Sequence, residues 1–319
     1  MSATRGGLRV RVLGVAAVAA AVLLGGCGDY DGRADPGGGQ QPQGAALRIT
    51  LGTQAFPEAR ILGELWRQAL AANGYTVTLR KGVGPAADLD RLLAKREIDG
   101  HVAYTGTVLS VVAGQEVTGL DPAETYRRAK AFYAKRGMAM SAMTPFENKD
   151  AIATTTATAQ RRGLESVSDL RRLGRFTLGA RPEFEDLQLG LKGLEKDYGL
   201  GRVDFSAVKL GDQYDALDSG DVDAVDAFTT DPQLRSGGYK LLADPKLLFG
   251  SQNVVMTVRK DKLKVVGGAK FLRVVSAVNR ELTQEDMVDL NADVTDGQSD
   301  EVVAARFLRD HDLDQSIGE

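Results

Sequence analysis

The sequence predicts an α/β protein of two lobes with a ligand cleft between them. Three observations lead there. The chain has 319 residues, enough for two lobes of ordinary domain size. Strand-like and helix-like segments alternate along it, the pattern of a parallel sheet. A helix–strand–polar-turn unit also occurs twice. Glu97 to Tyr104 runs into Thr105-Gly106-Thr107, and Gly220 to Phe228 runs into Thr229-Thr230-Asp231. Strand ends of open α/β sheets hold ligands, so two such units facing each other make a cleft. In the first turn Gly106 permits unusual backbone angles, the threonines supply hydroxyls, and Tyr104 supplies a ring with a polar tip.

Leu47 to Gly52 alternates apolar and polar residues and predicts a strand. Ile61, Leu62, Leu65, Trp66 and Leu70 place an apolar stripe on a helix over 58–72, ended by Asn73-Gly74. A strand over 75–79, a helix over 86–95 and a strand over 98–103 follow. Asp121 before Pro122 caps a helix to about Lys135. Extended segments are expected over 138–143, 151–156, 176–180, 206–209, 222–228 and 253–258. Helices are expected over 185–198, 212–219, 270–281, 284–290 and 300–310.

Composition excludes several functions. The net charge of −3 gives no electrostatic footprint for nucleic acid. One cysteine, Cys27, precludes an intrachain disulfide, and two distant histidines, His101 and His311, preclude a His/Cys zinc cluster. No metal site, cofactor or catalytic set is expected. The sequence has no Gly-x-Ser-x-Gly elbow and no Gly-x-x-x-x-Gly-Lys-Ser/Thr phosphate loop.

The N-terminus reads as an address. Arg5, Arg9 and Arg11 precede an apolar run over 12–24, shorter than the ~20 residues a membrane-spanning helix needs. It suits a signal peptide over 1–26. Leu24-Gly25-Gly26-Cys27 looks like a bacterial lipobox, with Cys27 as the lipidated residue. Residues 27–46, rich in Gly, Pro, Gln and Asp, form a lipid-anchored disordered tether. The expected location is the extracytoplasmic face of the cell membrane.

Four segments resemble one family. They are Gly52-Thr53-Gln54-Ala55-Phe56-Pro57-Glu58 with Ile61-Leu62-Gly63-Glu64-Leu65, Glu97-Ile98-Asp99 with Tyr104-Thr105-Gly106-Thr107, Asp226-Ala227-Phe228-Thr229-Thr230-Asp231, and Leu282-Thr283-Gln284-Glu285-Asp286-Met287 with Leu290-Asn291. In order and spacing they are similar to the extracellular solute-binding subunits of ABC importers for glycine betaine, carnitine and choline. The resemblance implies a type II periplasmic-binding-protein fold with two hinge crossings. Lobe 1 would be 47–147 plus 252–319 and lobe 2 148–251. It also implies a small-molecule ligand, an ABC permease and ATPase as partners, a monomer, and no enzymatic activity.

The resemblance places the ligand against Tyr104, Thr105, Thr107, Gln54, Phe56, Asp150, Phe184, Phe228, Thr229 and Thr230. Phe56 reads equally as core or pocket wall, and Thr105 and Thr107 as ligand contacts or helix caps. Asp150 either pairs with an amine or takes sugar hydroxyls, or is a solvated hinge residue. Asp226 and Asp231 read as helix caps. The family holds a quaternary ammonium in an aromatic box, each ring contributing about 0.5–2 kcal/mol. This chain has Asp150 and Leu191 where the family has tyrosines, Gly84-Pro85-Ala86 for its Gly-Ser/Thr-Thr turn, and Gln54-Ala55 for its Lys-Asn pair. Two lost rings weaken a quaternary ligand by about 10- to 1000-fold. A polyol or amine ligand, and a non-transporting sensor lipoprotein, therefore stand as alternatives.

Overall fold

The computed structural model describes residues 47–316 apart from Leu210, so the signal segment, Cys27 and the tether lie outside the described residues. Two five-stranded sheets organise the chain. The first contains β1 (Arg48–Gly52), β2 (Thr76–Arg80), β3 (Gly100–Tyr104), β4 (Met138–Met140) and β10 (Val254–Arg259) in the order β2-β1-β3-β10-β4. The second contains β5 (Asp150–Thr155), β6 (Phe176–Ala180), β7 (Val203–Ala207), β8 (Ala224–Phe228) and β9 (Tyr239–Leu242) in the order β7-β6-β8-β5-β9.

The sheets share a plan. Three strands run parallel, then an antiparallel strand is inserted beside the strand that bears the polar turn. In the first sheet β10 lies antiparallel to β3, with Val254 opposite Tyr104. In the second β5 lies antiparallel to β8, with Asp150 opposite Phe228. Both inserted strands are fed by the segments that pass between the sheets. These segments pair with each other through a Glu147–Asn253 bridge and the Asn148 N–H to Gln252 carbonyl bond of 3.2 Å.

Local chemistry explains most helices. α1 (Pro57–Ala72) has proline in its first turn and ends where Gly74 takes a positive φ of 89°. Its apolar face packs on α9 (Gly268–Glu281), α10 (Gln284–Thr295) and α11 (Asp300–Asp310), and Trp66 donates to Asn279 at 2.8 Å. α2 (Ala86–Ala94) covers the other face of the first sheet with α4 (Pro122–Lys135), whose cap Asp121 accepts from the Glu124 N–H at 2.8 Å. Thr283 and Asp286 form a capping box at the start of α10. In the second lobe α5 (Thr156–Arg162), α6 (Leu191–Tyr198) and α7 (Gln213–Ser219) flank the sheet. α8 (Lys260–Val266) follows β10.

Several expectations need correction. The polar stretch after Tyr104 is not a turn: Thr105–Thr107 is helical (α3) and continues as a π-helix over Val108–Val112. Gly106 does not have a positive φ. A Cβ there would sit 2.5 Å from the Ser251 carbonyl oxygen, so the glycine serves a close backbone approach. The helix expected over 185–198 is split into a 3₁₀ turn, Pro182–Glu185, and α6. The chain folds back between them so tightly that a Cβ at Gly190 would collide with the Phe184 carbonyl. β7 begins three residues earlier than expected, and α5, α8 and β9 were not foreseen.

Candidate functional site

A cavity of about 620 Å³ lies between the strand ends of the two sheets. From the first lobe it is lined by Gln54, Phe56, Tyr104 and Thr107, with the backbone turn Gly84-Pro85-Ala86. Asn148, Lys149 and Gln252 on the crossing segments and Asp150 and Phe228 at the paired ends of β5 and β8 complete it. Phe56 is 40% exposed at the head of α1, and its ring centroid lies 5.9 Å from that of Tyr104. The exposure resolves the two readings of Phe56 in favour of a wall.

Each expected site residue has a definite place. Thr107 lines the cavity and binds Gln252 Oε1 through its N–H and hydroxyl, at 3.0 and 3.3 Å. Gln54 lines it with an Oε1 that has no hydrogen-bond partner. Thr105 is fully buried; its hydroxyl donates to the Ser251 carbonyl at 3.4 Å and its N–H to the Asn253 carbonyl at 3.0 Å. Thr229 ties the crossing segment down: its hydroxyl donates to the Glu147 carbonyl at 2.6 Å and accepts from the Lys149 N–H at 3.1 Å. Phe184 is fully buried and Leu191 nearly so in the second lobe's core, and neither is among the residues that line the cavity. Thr230 lines a second cavity, described below.

Asp150 is not a free carboxylate. Arg181 clamps it with two bonds of 2.9 and 3.0 Å and also pairs with Asp226. The guanidinium lies 5.3 Å from the Phe184 ring centroid and 5.5 Å from that of Phe228. Asp226 therefore does not cap a helix. Burial pushes its carboxyl up to about 8, Asp150 adds to the rise, and Arg181 opposes it. Burial also raises Asp150 against the pull of Arg181. Asp231 occupies the position before the 3₁₀ turn Pro232–Ser236 but makes no cap bond. It accepts from the Phe228 N–H and the Tyr214 hydroxyl, both at 2.9 Å.

The second cavity, of about 440 Å³, shares Phe56, Asn148 and Phe228 with the first. Its distinctive residue is Glu58, only 2% exposed. The Tyr104 hydroxyl donates to it at 2.8 Å and the Asn291 amide at 3.3 Å, and Thr230 and Asn148 also hydrogen-bond to it. Burial outweighs these bonds and raises the Glu58 carboxyl above its ordinary value. The Tyr104 hydroxyl is pushed up by burial first and by the Glu58 charge second.

The model of the family described as the substrate binding domain of ABC-type glycine betaine transport system matches residues 48–310. The chain belongs to this family. A glycine-betaine-binding protein of Pseudomonas aeruginosa is 33% identical over 282 residues, 84% of this chain and 89% of that protein. The ergothioneine transport permease/ergothioneine binding protein EgtU of Helicobacter pylori is 26% identical over 82% of this chain, which spans 47% of that longer protein. A crystal structure of a glycine betaine/carnitine/choline ABC transporter superposes with a TM-score of 0.77 at 22% identity, covering 84% of this chain and all of that one. The fold is thus the type II periplasmic-binding-protein fold, and the chain is an ABC-importer substrate-binding protein. Family members are extracytoplasmic transport binding proteins rather than enzymes. Among the described residues no helix is long and apolar enough to cross a membrane.

For an importer substrate-binding domain, the sequence reading overlooked telling residues. Arg181, Asn148, Lys149, Gln252 and Asn291 were not foreseen at the site. Asn148 and Lys149 adjoin Asp150, so proximity to the first crossing was an available signal. Arg181 offered none, because its partners stand 31 and 45 residues away in sequence.

Proposed function

We propose that this protein captures a quaternary ammonium osmolyte of the glycine betaine, choline or carnitine class in the first cavity. It delivers that solute to an ABC permease driven by a separate ATPase. The carrying observation is that Phe56, Tyr104 and Phe228 line one cavity between the strand ends of the two lobes. Rings suit a cation that has no N–H to donate, because only their faces attract it. Phe228 already accommodates one cation, the Arg181 guanidinium, against its ring. Lys149 and the unpartnered Gln54 side chain supply polar contacts for the rest of the ligand. Residues 47–147 plus 252–319 and 148–251 act as the two jaws, hinged at the paired crossings, and ligand favours the closed state by its differential affinity. Anchoring through Cys27, release of residues 1–26, the 27–46 tether and a monomeric state belong to the same reading.

Calorimetric titration of the purified full-length chain with glycine betaine, choline and carnitine tests it. Binding of at least one is expected, weakened about 2- to 30-fold by Tyr104→Ala. No heat and no thermal shift with any of the three overturns the quaternary reading. Binding of a polyol or amine lost in Asp150→Asn would support the polar alternative. That alternative requires the ligand to displace Arg181 from Asp150.

A further inference from the structure

We propose that the second cavity is a separate subsite for an organic cation bearing N–H donors, a primary or secondary ammonium or a guanidinium. Two features distinguish it from the first. Its lining contains two carboxylates, Glu58 and Asp231, and no lysine or arginine, whereas Lys149 lines the first. It also offers acceptors in want of donors. Glu58 takes the side-chain amides of Asn291 and Asn148 as donors. The Asn291 amide also donates to the Thr230 carbonyl at 2.9 Å, an atom that can only accept, and this fixes which way the amide points. The Oδ1 atoms of both asparagines are left without a partner, although Asn291 is only 7% exposed. An unpaired acceptor beside a carboxylate that has hydrogen-bond donors but no cation in the lining is satisfied best by a donor that carries positive charge.

A quaternary ammonium meets only half of this requirement, because it supplies charge without hydrogen bonds. An N–H cation supplies both. Phe56 and Phe228 form the partition between the cavities, each belonging to both linings. The rings also give a flat apolar surface for the carbon part of such a ligand. Burial raises the carboxyls of both Glu58 and Asp231, and an arriving cation reverses that rise. The subsite stands whether or not the first cavity takes a quaternary ligand.

The test is calorimetry of the full chain with guanidinium, 1,4-diaminobutane and tetramethylammonium, each with and without saturating glycine betaine. The expected result is that an N–H cation binds at least tenfold tighter than tetramethylammonium when glycine betaine is present. Thr295→Lys and, from the opposite lobe, Gln233→Lys place a resident cation in the cavity. Each is expected to abolish N–H cation binding while changing glycine betaine affinity less than twofold. Glu58→Gln is expected to cut N–H cation affinity at least tenfold, with thermal denaturation confirming that each variant folds. Absence of N–H cation binding overturns the subsite, as does binding that glycine betaine competes away and both lysine variants leave intact. Failure of glycine betaine, choline and carnitine alike to bind, with N–H cations still bound, would instead overturn the reading of the first cavity.

Discussion

Tyr104 donates its hydroxyl to the Glu58 carboxylate across 2.8 Å, and the two residues belong to different cavities. The ring of Tyr104 faces the aromatic wall while its polar tip helps satisfy a buried acid. Ring and hydroxyl thus have separable roles. Tyr104→Phe keeps the ring but removes one donor from Glu58, which is expected to cost about 1–3 kcal/mol of stability. Its affinity for a quaternary ligand is expected to stay near that of the wild type. Tyr104→Ala is expected to lose both stability and affinity. Urea denaturation and calorimetry on the pair check this, and equal affinity losses in the two variants would refute the division of roles.

Arg181 holds Asp150 and Asp226 together, and the three side chains have little access to water. Removing the shared cation leaves two acids facing each other in a low-dielectric setting. Arg181→Met is expected to destabilise by about 3–5 kcal/mol, the usual cost of stranding a buried charge. Adding Asp226→Asn is expected to recover part of that loss, because one stranded acid is gone. A chemical-denaturation cycle over the two single variants and the double variant measures the recovery. Strict additivity would show that the pairing is not the cause.

These relationships mark where sequence reading stops. Asp121-Pro122, Asn73-Gly74 and Thr283 with Asp286 could be read directly, because caps act over a few residues. The repeated strand-and-polar-turn unit was legible and corresponds to the ends of β3 and β8, where Tyr104 and Phe228 line the first cavity; Phe56 and Thr107 line it too, but the sequence left each open between two roles. Phe184 was placed at the cavity, and Leu191 at the position of a lost ring, because an aromatic or aliphatic residue near a strand end reads alike in a wall and in a core. Here the fold-back at Gly190 belongs to a segment that buries both. Gly106 was singled out for backbone freedom, yet its constraint comes from Ser251, 145 residues away in the chain. The edge strand β9 is only four residues long and its first three are half-buried, so it has little alternation to detect.

The Asp226 carboxyl gives the protein a distinctive pH dependence. Its value rises from 3.8 to about 8 on folding. Between those limits the folded state retains a proton that the unfolded chain has released. Stability therefore falls as pH rises through that window and is least eroded at its acid end. Glu58, Asp150 and Asp231, also raised by burial, act in the same direction, whereas the lowered Asp99, Asp293 and Glu301 act oppositely, so the contribution is isolated by comparison with Asp226→Asn. The melting temperature of the wild type relative to that variant is expected to decline between about pH 5 and pH 8. A constant difference across the range would place the proton elsewhere.

Gly106 offers a test of how the second crossing is seated. A methyl group there meets the Ser251 backbone carbonyl at 2.5 Å and the Gln252 side-chain amide at 3.0 Å. The amide can swing aside, but the carbonyl belongs to the segment leading into β10 and moves only with it. Gln252 also anchors Thr107 at the cavity. Gly106→Ala is therefore expected to cost about 1–3 kcal/mol, as overpacking does, and to weaken ligand binding as well. Ser251→Gly leaves that carbonyl in place, so it should not rescue the variant, whereas relief by it would assign the clash to the serine side chain. Thermal melts and calorimetry on the single and double variants distinguish the two.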